Sequence, residues 1–408
     1  MPNVVFVAPF LFEATVRFIA AVASLSDVQL GLISQDPEDN LSDELRGRLA
    51  GHYRIADGTD VNQIASATRI LARHFGSIDR VIGTLEQLQV PLAQVREWSG
   101  VPGMRVEAAH NFRDKARMKT VMRAHGIPCA RHALAESAQQ ALAAAHEIGL
   151  PLVVKPPAGA GARSTFRIDH ESQLHGWLRF DPPSHEAPAL LEQAMSGDEH
   201  SFDSVMIDGR LVWSSVSRYL PTPLEVLQNP WIQWAVLLPR EMNGPSYDAI
   251  RSQGERALAV LGMTTGLSHM EWFSRGGSDI AISEVAARPP GAQFMTLMSY
   301  SHDVDMYHAW AALEVFGTFD PPERRYAVGA AYLRGQGVGR VSAIAGLDTL
   351  QEELGDLVVE ARLPHVGQAA SDTYEGEGYV IVRHPETAVV EAALRRVVDV
   401  ARVQLAET

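Results

Sequence analysis

Over the first 110 residues, short apolar runs alternate with longer stretches whose apolar residues recur at helical spacing. Residues 4–8, 28–34 and 79–83 predict buried strands, and residues 12–25, 61–75 and 90–98 predict helices. This alternation predicts an open, doubly wound parallel α/β unit. No Gly-x-Gly-x-x-Gly follows the first strand and no Walker lysine occurs, which argues against a dinucleotide or P-loop site there. Glu86 follows the third strand, where such sheets bind ligands. A solvated loop glutamate is the plainer reading of that position.

The pattern then changes. Residues 111–125 predict a helix with Asn111 as cap, Asp114 completing a box-like pair, and Met118, Val121 and Met122 as the buried stripe. Gly126 and Pro128 end it. Residues 137–148 predict a second helix, closed by Gly149 and Pro151. Strands are predicted at 152–155, 165–168, 189–194, 199–207 and 211–216, the last two joined by Asp208-Gly209, a strong hairpin signal. Residues 151–216 therefore predict a mainly antiparallel sheet. Residues 221–239, with Trp231 and Trp234, show no period and read as a loop, either a lid over a substrate or a packed connection. Helices are predicted at 247–261 and 302–316. From about residue 326, strand-like runs and a terminal amphipathic helix at 387–405 predict a small α+β lobe.

Residues 268–291, SHMEWFSRGGSDIAISEVAARPPG, predict a β-hairpin. With Gly276-Gly277-Ser278-Asp279 as a four-residue turn, Arg275 faces Ile280, Phe273 faces Ile282 and Glu271 faces Glu284. Side chains alternate along a strand, so both glutamates fall on one face, about 5 Å apart at Cβ. Two carboxylates at that distance repel by roughly 3 kcal/mol at an effective dielectric of about 20. A shared cation relieves this, and Mg²⁺ suits one or two carboxylates plus phosphates. Splayed, solvated glutamates or a bulge-slipped register fit the same residues.

Composition narrows the chemistry. The chain has 408 residues, 46% apolar and 21% charged, as expected of a globular enzyme. Its net charge of −14 argues against nucleic-acid binding. The single cysteine, Cys129, fits a reducing cytoplasm. The N-terminal residues lack the basic region of a signal peptide, and no apolar run reaches the length of a membrane span. The only lysines are Lys115, Lys119 and Lys155, so lysine is not routine surface decoration here. Lys115 lies in a first helical turn, where a cation is unfavourable unless it meets an anion. Lys155 ends a strand directly before a loop holding Gly159, Gly161 and Arg163; glycines let a backbone approach phosphates closely.

Five segments in order resemble the ATP-grasp superfamily of carboxylate–amine ligases: DKARM (114–118), VVKPPAGAGA (153–162), LLEQAMSGDEHSFD (190–203), GLSHMEW (266–272) and SEVAARPPG (283–291). The resemblance implies a pre-ATP-grasp α/β domain over residues 1–110. It implies a two-lobed ATP-grasp domain over 111–320, its lid at about 150–216, and a C-terminal α+β lobe over 321–408. ATP and one or two Mg²⁺ ions are the implied cofactors. Lys115 and Lys155 resemble phosphate-binding lysines, and Ala158, Gly159, Ala160, Gly161 and Ala162 the flap over the phosphates. Glu192, Gln193, Ala194 and Met195 resemble the hinge that bonds the adenine edge, mostly through backbone, and Glu199 the ribose-binding acid. Glu271 and Glu284 resemble the Mg²⁺ ligands, and Arg288 the arginine steadying the reacting acyl group. His269 recurs before the first metal glutamate, in a functional or structural role. Many relatives place a further metal-binding asparagine where this chain has Ala286, so the metal count stays open.

The C-terminal lobe is similar to that of bacterial L-amino-acid ligases. The implied activity joins a small carboxylate, amino-acid-like, to an amine through an acyl phosphate, releasing ADP and phosphate. A purine-pathway-like ligase or carboxylase, or an ATP-binding regulator without turnover, are the alternatives. A homodimer is common among such relatives.

Overall fold

The structure is a computed structural model that describes residues 1–159, 164–229 and 232–407. Ala160, Gly161, Ala162 and Arg163 of the expected flap, and Trp231, lie outside the described residues.

The N-terminal unit is a parallel sheet in the order Gly51–Arg54, Gln29–Ser34, Asn3–Val7, Arg80–Ile82. Strand Gly51–Arg54 has no counterpart in the predicted elements because its residues, Gly-His-Tyr-Arg, are half-buried or exposed and form no apolar run. The helices Glu13–Ala23, Val61–Phe75 and Gln89–Ser99 match the expected ones. Phe18 on the first of these meets Trp310 edge to face at 4.8 Å and Tyr307 at 4.9 Å, fastening this unit to the helix Met306–Phe316.

The second layer is an eight-stranded antiparallel sheet. Its order is Ile280–Ala286, Gly266–Ser274, Asp198–Ile207, Arg210–Leu220, Trp234–Leu238, Ala327–Leu333, Gly378–His384, Val358–Arg362. Two expectations change here. The strands Asp198–Ile207 and Arg210–Leu220 pair in this large sheet and not in the lid, because Gly266–Ser274 ladders onto Asp198–Ile207 along its whole length. The C-terminal strands extend the same sheet through Ala327–Leu333, which pairs with Trp234–Leu238. That last strand lies within residues 221–239, read from sequence as a loop. It is wholly buried and so lacks alternation.

The lid is a smaller antiparallel sheet, His132–Ala135, Ala189–Gln193, Leu152–Lys155, Phe166–Ile168, backed by helix Ala138–Ile148. The predicted helix over 111–125 is two helices, Val106–Arg113 and Lys115–Ala124. Asp114 caps the second, accepting from the Ala116 and Arg117 N–H groups. Asn111 sits in the first helix and donates to Leu261 O. The terminal helix is Thr387–Val400; its predicted last turn is a strand, Arg402–Ala406. Among the described residues, no helix is long and apolar enough to cross a membrane.

Candidate active site

A cavity of about 490 Å³ lies between the lid sheet and the edge of the large sheet. The hairpin Gly266–Ser274/Ile280–Ala286 forms its floor. Its turn is one residue shorter than expected: Arg275 N–H donates to Asp279 O at 2.9 Å, and Gly276 and Gly277 take φ of 102° and 57°. Trp272 therefore faces Ile282 and Phe273 faces Ala281, not the predicted partners. A bulge between Glu271 and Trp272 leaves Ser283 extra on the other strand and returns Glu271 to Glu284. The shorter turn and the bulge cancel at the one pair that matters. The released Ser283 carbonyl accepts from the Lys119 ammonium.

Strand alternation builds the rest of the floor. Opposite Phe273, Glu271 and His269 stand Glu199, Ser201 and Asp203, all on the same face. His269 Nδ1 meets Asp203 Oδ1 at 2.7 Å, and Ser201 donates to Asp203 at 3.0 Å. Tyr219 O–H reaches Glu271 Oε1 at 3.5 Å. Ala286 stands opposite His269 and lines the cavity without a donor atom.

The lysines converge on the far wall. Lys115 Nζ pairs with Glu284 Oε1 at 2.8 Å and donates to Gly159 O at 2.8 Å. Lys155 Nζ lies 2.6 Å from Glu192 Oε1, and Lys119 Nζ 3.2 Å from Glu192 Oε2. Lys119 is 0% exposed and Glu192 6%. The Glu192 side chain thus turns inward to two ammonium groups. The Gln193 N–H donates to Arg131 O and the Ala194 N–H to Pro151 O, so Met195 is the part of the expected hinge that faces the cavity without those ties. Arg288 Nη2 pairs with Glu86 Oε2 at 2.7 Å, and Arg113 holds the other Glu86 oxygen at 3.0 Å. Glu86 is therefore buried in the site, not solvated.

The electrostatics divide the carboxylates. Burial pushes Glu192 up, but Lys119 and Lys155 outweigh it and hold it below the usual range. Burial likewise opposes Glu284, yet Lys115 and Lys155 draw it down to about 2. Glu271 is raised, by burial and then by Glu284 opposite. Glu199 is raised well above normal, by burial and then by Glu271. Burial lowers the Lys155 ammonium, but Glu192 and Glu284 more than reverse this.

Among the described residues no group of three or more His, Cys, Asp or Glu side chains could by itself hold a metal ion. Mg²⁺ nevertheless fits, because it takes one or two carboxylates and completes its shell with waters and phosphates. Glu271 and Glu284, opposed across the hairpin and both lining the cavity, offer that donor set.

A family model described as "Carbamoyl-phosphate synthase L chain, ATP binding domain" matches residues 114–181. The chain is similar to an L-arginine-specific L-amino acid ligase of Bacillus subtilis, 24% identical over 270 residues, 65% of this chain and 64% of that one. The alignment thus spans less than two thirds of that relative. A D-alanine–D-alanine ligase of Pseudomonas entomophila is 33% identical over 105 residues, 25% of this chain and 33% of that one. The crystal structure of an L-amino acid ligase from Bacillus licheniformis superposes with a TM-score of 0.78 at 16% identity, covering 100% of this chain and 99% of that one. The chain has the fold of the ATP-grasp ligases. Within its ATP-grasp cavity lie Lys115, Lys155, Gly159, Glu192, Gln193, Ala194, Met195, Glu199, Glu271, Glu284 and Arg288 of the expected site residues; Ala158 is not part of its lining. Tyr219 and Tyr374 also line it, and Lys119, Arg113 and Asp203 support it from behind through Glu192, Glu86 and His269; none of these five contacts was expected. Lys119 had a signal: it lies four residues from Lys115, on the same helical face, in a chain with three lysines.

Proposed function

We propose that the chain is an ATP-dependent carboxylate–amine ligase that joins an amino-acid-like carboxylate to an amine through an acyl phosphate, releasing ADP and phosphate. The opposed Glu271–Glu284 pair, with Lys115 and Lys155 beside it and Arg288 on the same cavity, carries this reading. Met195 and the neighbouring hinge backbone receive the adenine edge, and Glu199 the ribose hydroxyls. Lys115 and Lys155 meet the phosphates, under the flap that begins at Ala158 and Gly159. Glu271 and Glu284 would hold Mg²⁺, which when bound supplies charge neutralisation between phosphate oxygens.

The substrate carboxylate attacks the γ-phosphorus, and the amine then displaces phosphate from the acyl phosphate. Glu86 and Pro289 O occupy three Arg288 N–H groups and fix the guanidinium plane; donors remain for the developing oxyanion. Ala286 favours a second reading, an ATP-binding regulator without turnover, since that position brings no metal donor. Phosphate release from Mg²⁺-ATP across a panel of carboxylates and amines tests both. Release that depends on both co-substrates is expected. ATP binding without release for any pair would establish the regulator.

A further inference from the structure

The two ends of the cavity differ in chemistry. Toward the lid it is charged. Beyond Glu271 it is walled by rings drawn from four separate segments. Tyr219 lies 6.1 Å from Phe294, centroid to centroid, and 5.9 Å from Trp234. Trp234 meets Tyr374 edge to face at 4.7 Å and stacks on Tyr332 at 4.6 Å.

The polar tips of three of these rings are engaged within the protein. Trp234 Nε1 donates to Pro221 O at 3.1 Å, Tyr332 O–H donates to Ala292 O, and Tyr219 O–H points at Glu271. Carbon faces are left toward the cavity. Ala292 and Gln293 both take left-handed backbone, φ 48° and 63°, directly after the Arg288 loop. Strain of that kind collects at ligand sites, and here it turns the chain so that Phe294 joins the wall.

We propose that this end binds the side chain of the carboxylate donor, and that the donor is an amino acid with a large apolar or aromatic side chain. The proposal rests on the ligase reading above. Tyr219 O–H lies 3.5 Å from Glu271, so the rings begin where the metal carboxylates end. A molecule whose carboxylate reaches the triphosphate lays its remainder along them. Ring against ring is favourable there beyond area burial alone. A charged side chain would lose its water for unpartnered carbon. Glu225 and Gln228, on helix Pro223–Gln228, also line the cavity.

The test is ATP-dependent phosphate release from single amino acids, with glycinamide as the fixed acceptor so that the amino acid must be the donor. Phenylalanine, tyrosine, tryptophan, leucine and methionine are expected to exceed glycine, alanine, aspartate and arginine at least tenfold in kcat/KM. Preference for arginine, aspartate or a small side chain would overturn the assignment and leave the ligase standing. Calorimetric binding of phenylalanine and alanine, with Mg²⁺ and a non-hydrolysable ATP analogue, separates the two readings. Tighter phenylalanine binding without any phosphate release would remove the ligase and keep the pocket; equal binding would remove the pocket. Tyr374 lies outside the sheet strands, and Tyr374→Ala is expected to raise KM for phenylalanine tenfold or more with KM for ATP within twofold. An unchanged phenylalanine KM in the folded variant also overturns the assignment; the wild-type panel decides it if that variant does not fold.

Discussion

The two banks of the cavity carry opposite electrostatics. On one, three lysines are matched by Glu192 and Glu284, and both carboxyls lie below their usual range. On the other, Glu199 is raised by burial and then Glu271, and Glu271 by burial and then Glu284. Burial acts upward on all four; what separates them is whether an ammonium is within reach. The matched bank is ion-paired in the free protein. The unmatched bank is short of positive charge, which a bound cation would supply.

Breaking the comparison at its seam has the largest effect. Glu284→Gln removes the carboxylate shared by both banks and should lower phosphate release by about 10³-fold or more, the loss of several kcal/mol of charge stabilisation. Circular dichroism and the thermal midpoint should show an intact fold; wild-type turnover would take Glu284 out of the metal site.

Lys119→Met attacks the matched bank alone. Leaving buried Glu192 with one ammonium should cost about 3–5 kcal/mol in urea unfolding. A companion Glu192→Leu should recover little of it, because it strips Lys155 of its partner at 2.6 Å. No loss in the single variant would mean that Glu192 is satisfied by Lys155.

A control outside both banks sharpens the contrast. Burial and then Arg324 push His302 down to about 4. The unfolded chain therefore binds a proton between about pH 6.5 and 4 that the folded one refuses, so stability falls as pH drops through that window. The full shift corresponds to up to about 3 kcal/mol. His302→Gln should flatten that part of the pH–stability curve and leave the Mg²⁺ response unchanged; an unaltered slope would assign the acid sensitivity elsewhere.

The smallest effect isolates the unmatched bank. Mg²⁺-ATP at about 100 times its Kd should stabilise the protein by about 2.7 kcal/mol. Glu271→Gln should lose the part that Mg²⁺ adds over ATP with chelator, measured as a thermal shift. An equal metal increment in that variant would place the ion away from Glu271.

Local pattern carried much of this site. Glu271 and Glu284 were legible because a strand has period two, Lys115 and Lys155 because the chain spends so few lysines, and Glu199 only through the resemblance of its segment. The pairing of Glu271 with Glu284 was expected through a longer turn and an unbulged ladder. Both details differ, and they compensate. The strand Trp234–Leu238 was invisible since burial on both faces erases alternation. Glu192 looked like part of a hinge because its segment does; nothing nearby in sequence places Lys119 and Lys155 beneath it.

The sequence by itself determined most classes of element, the shared face of Glu271 and Glu284, and the resemblance carried by the ordered motifs. These follow from backbone periodicity and turn chemistry, which act over a few residues. Only the tertiary structure decided which lysine neutralises which acid, which sheet owns the strands after Gln193, and that rings from four distant segments close one end of the cavity. Those outcomes depend on where separate segments meet when the sheets close. A local pattern of apolar and polar positions holds no record of that meeting.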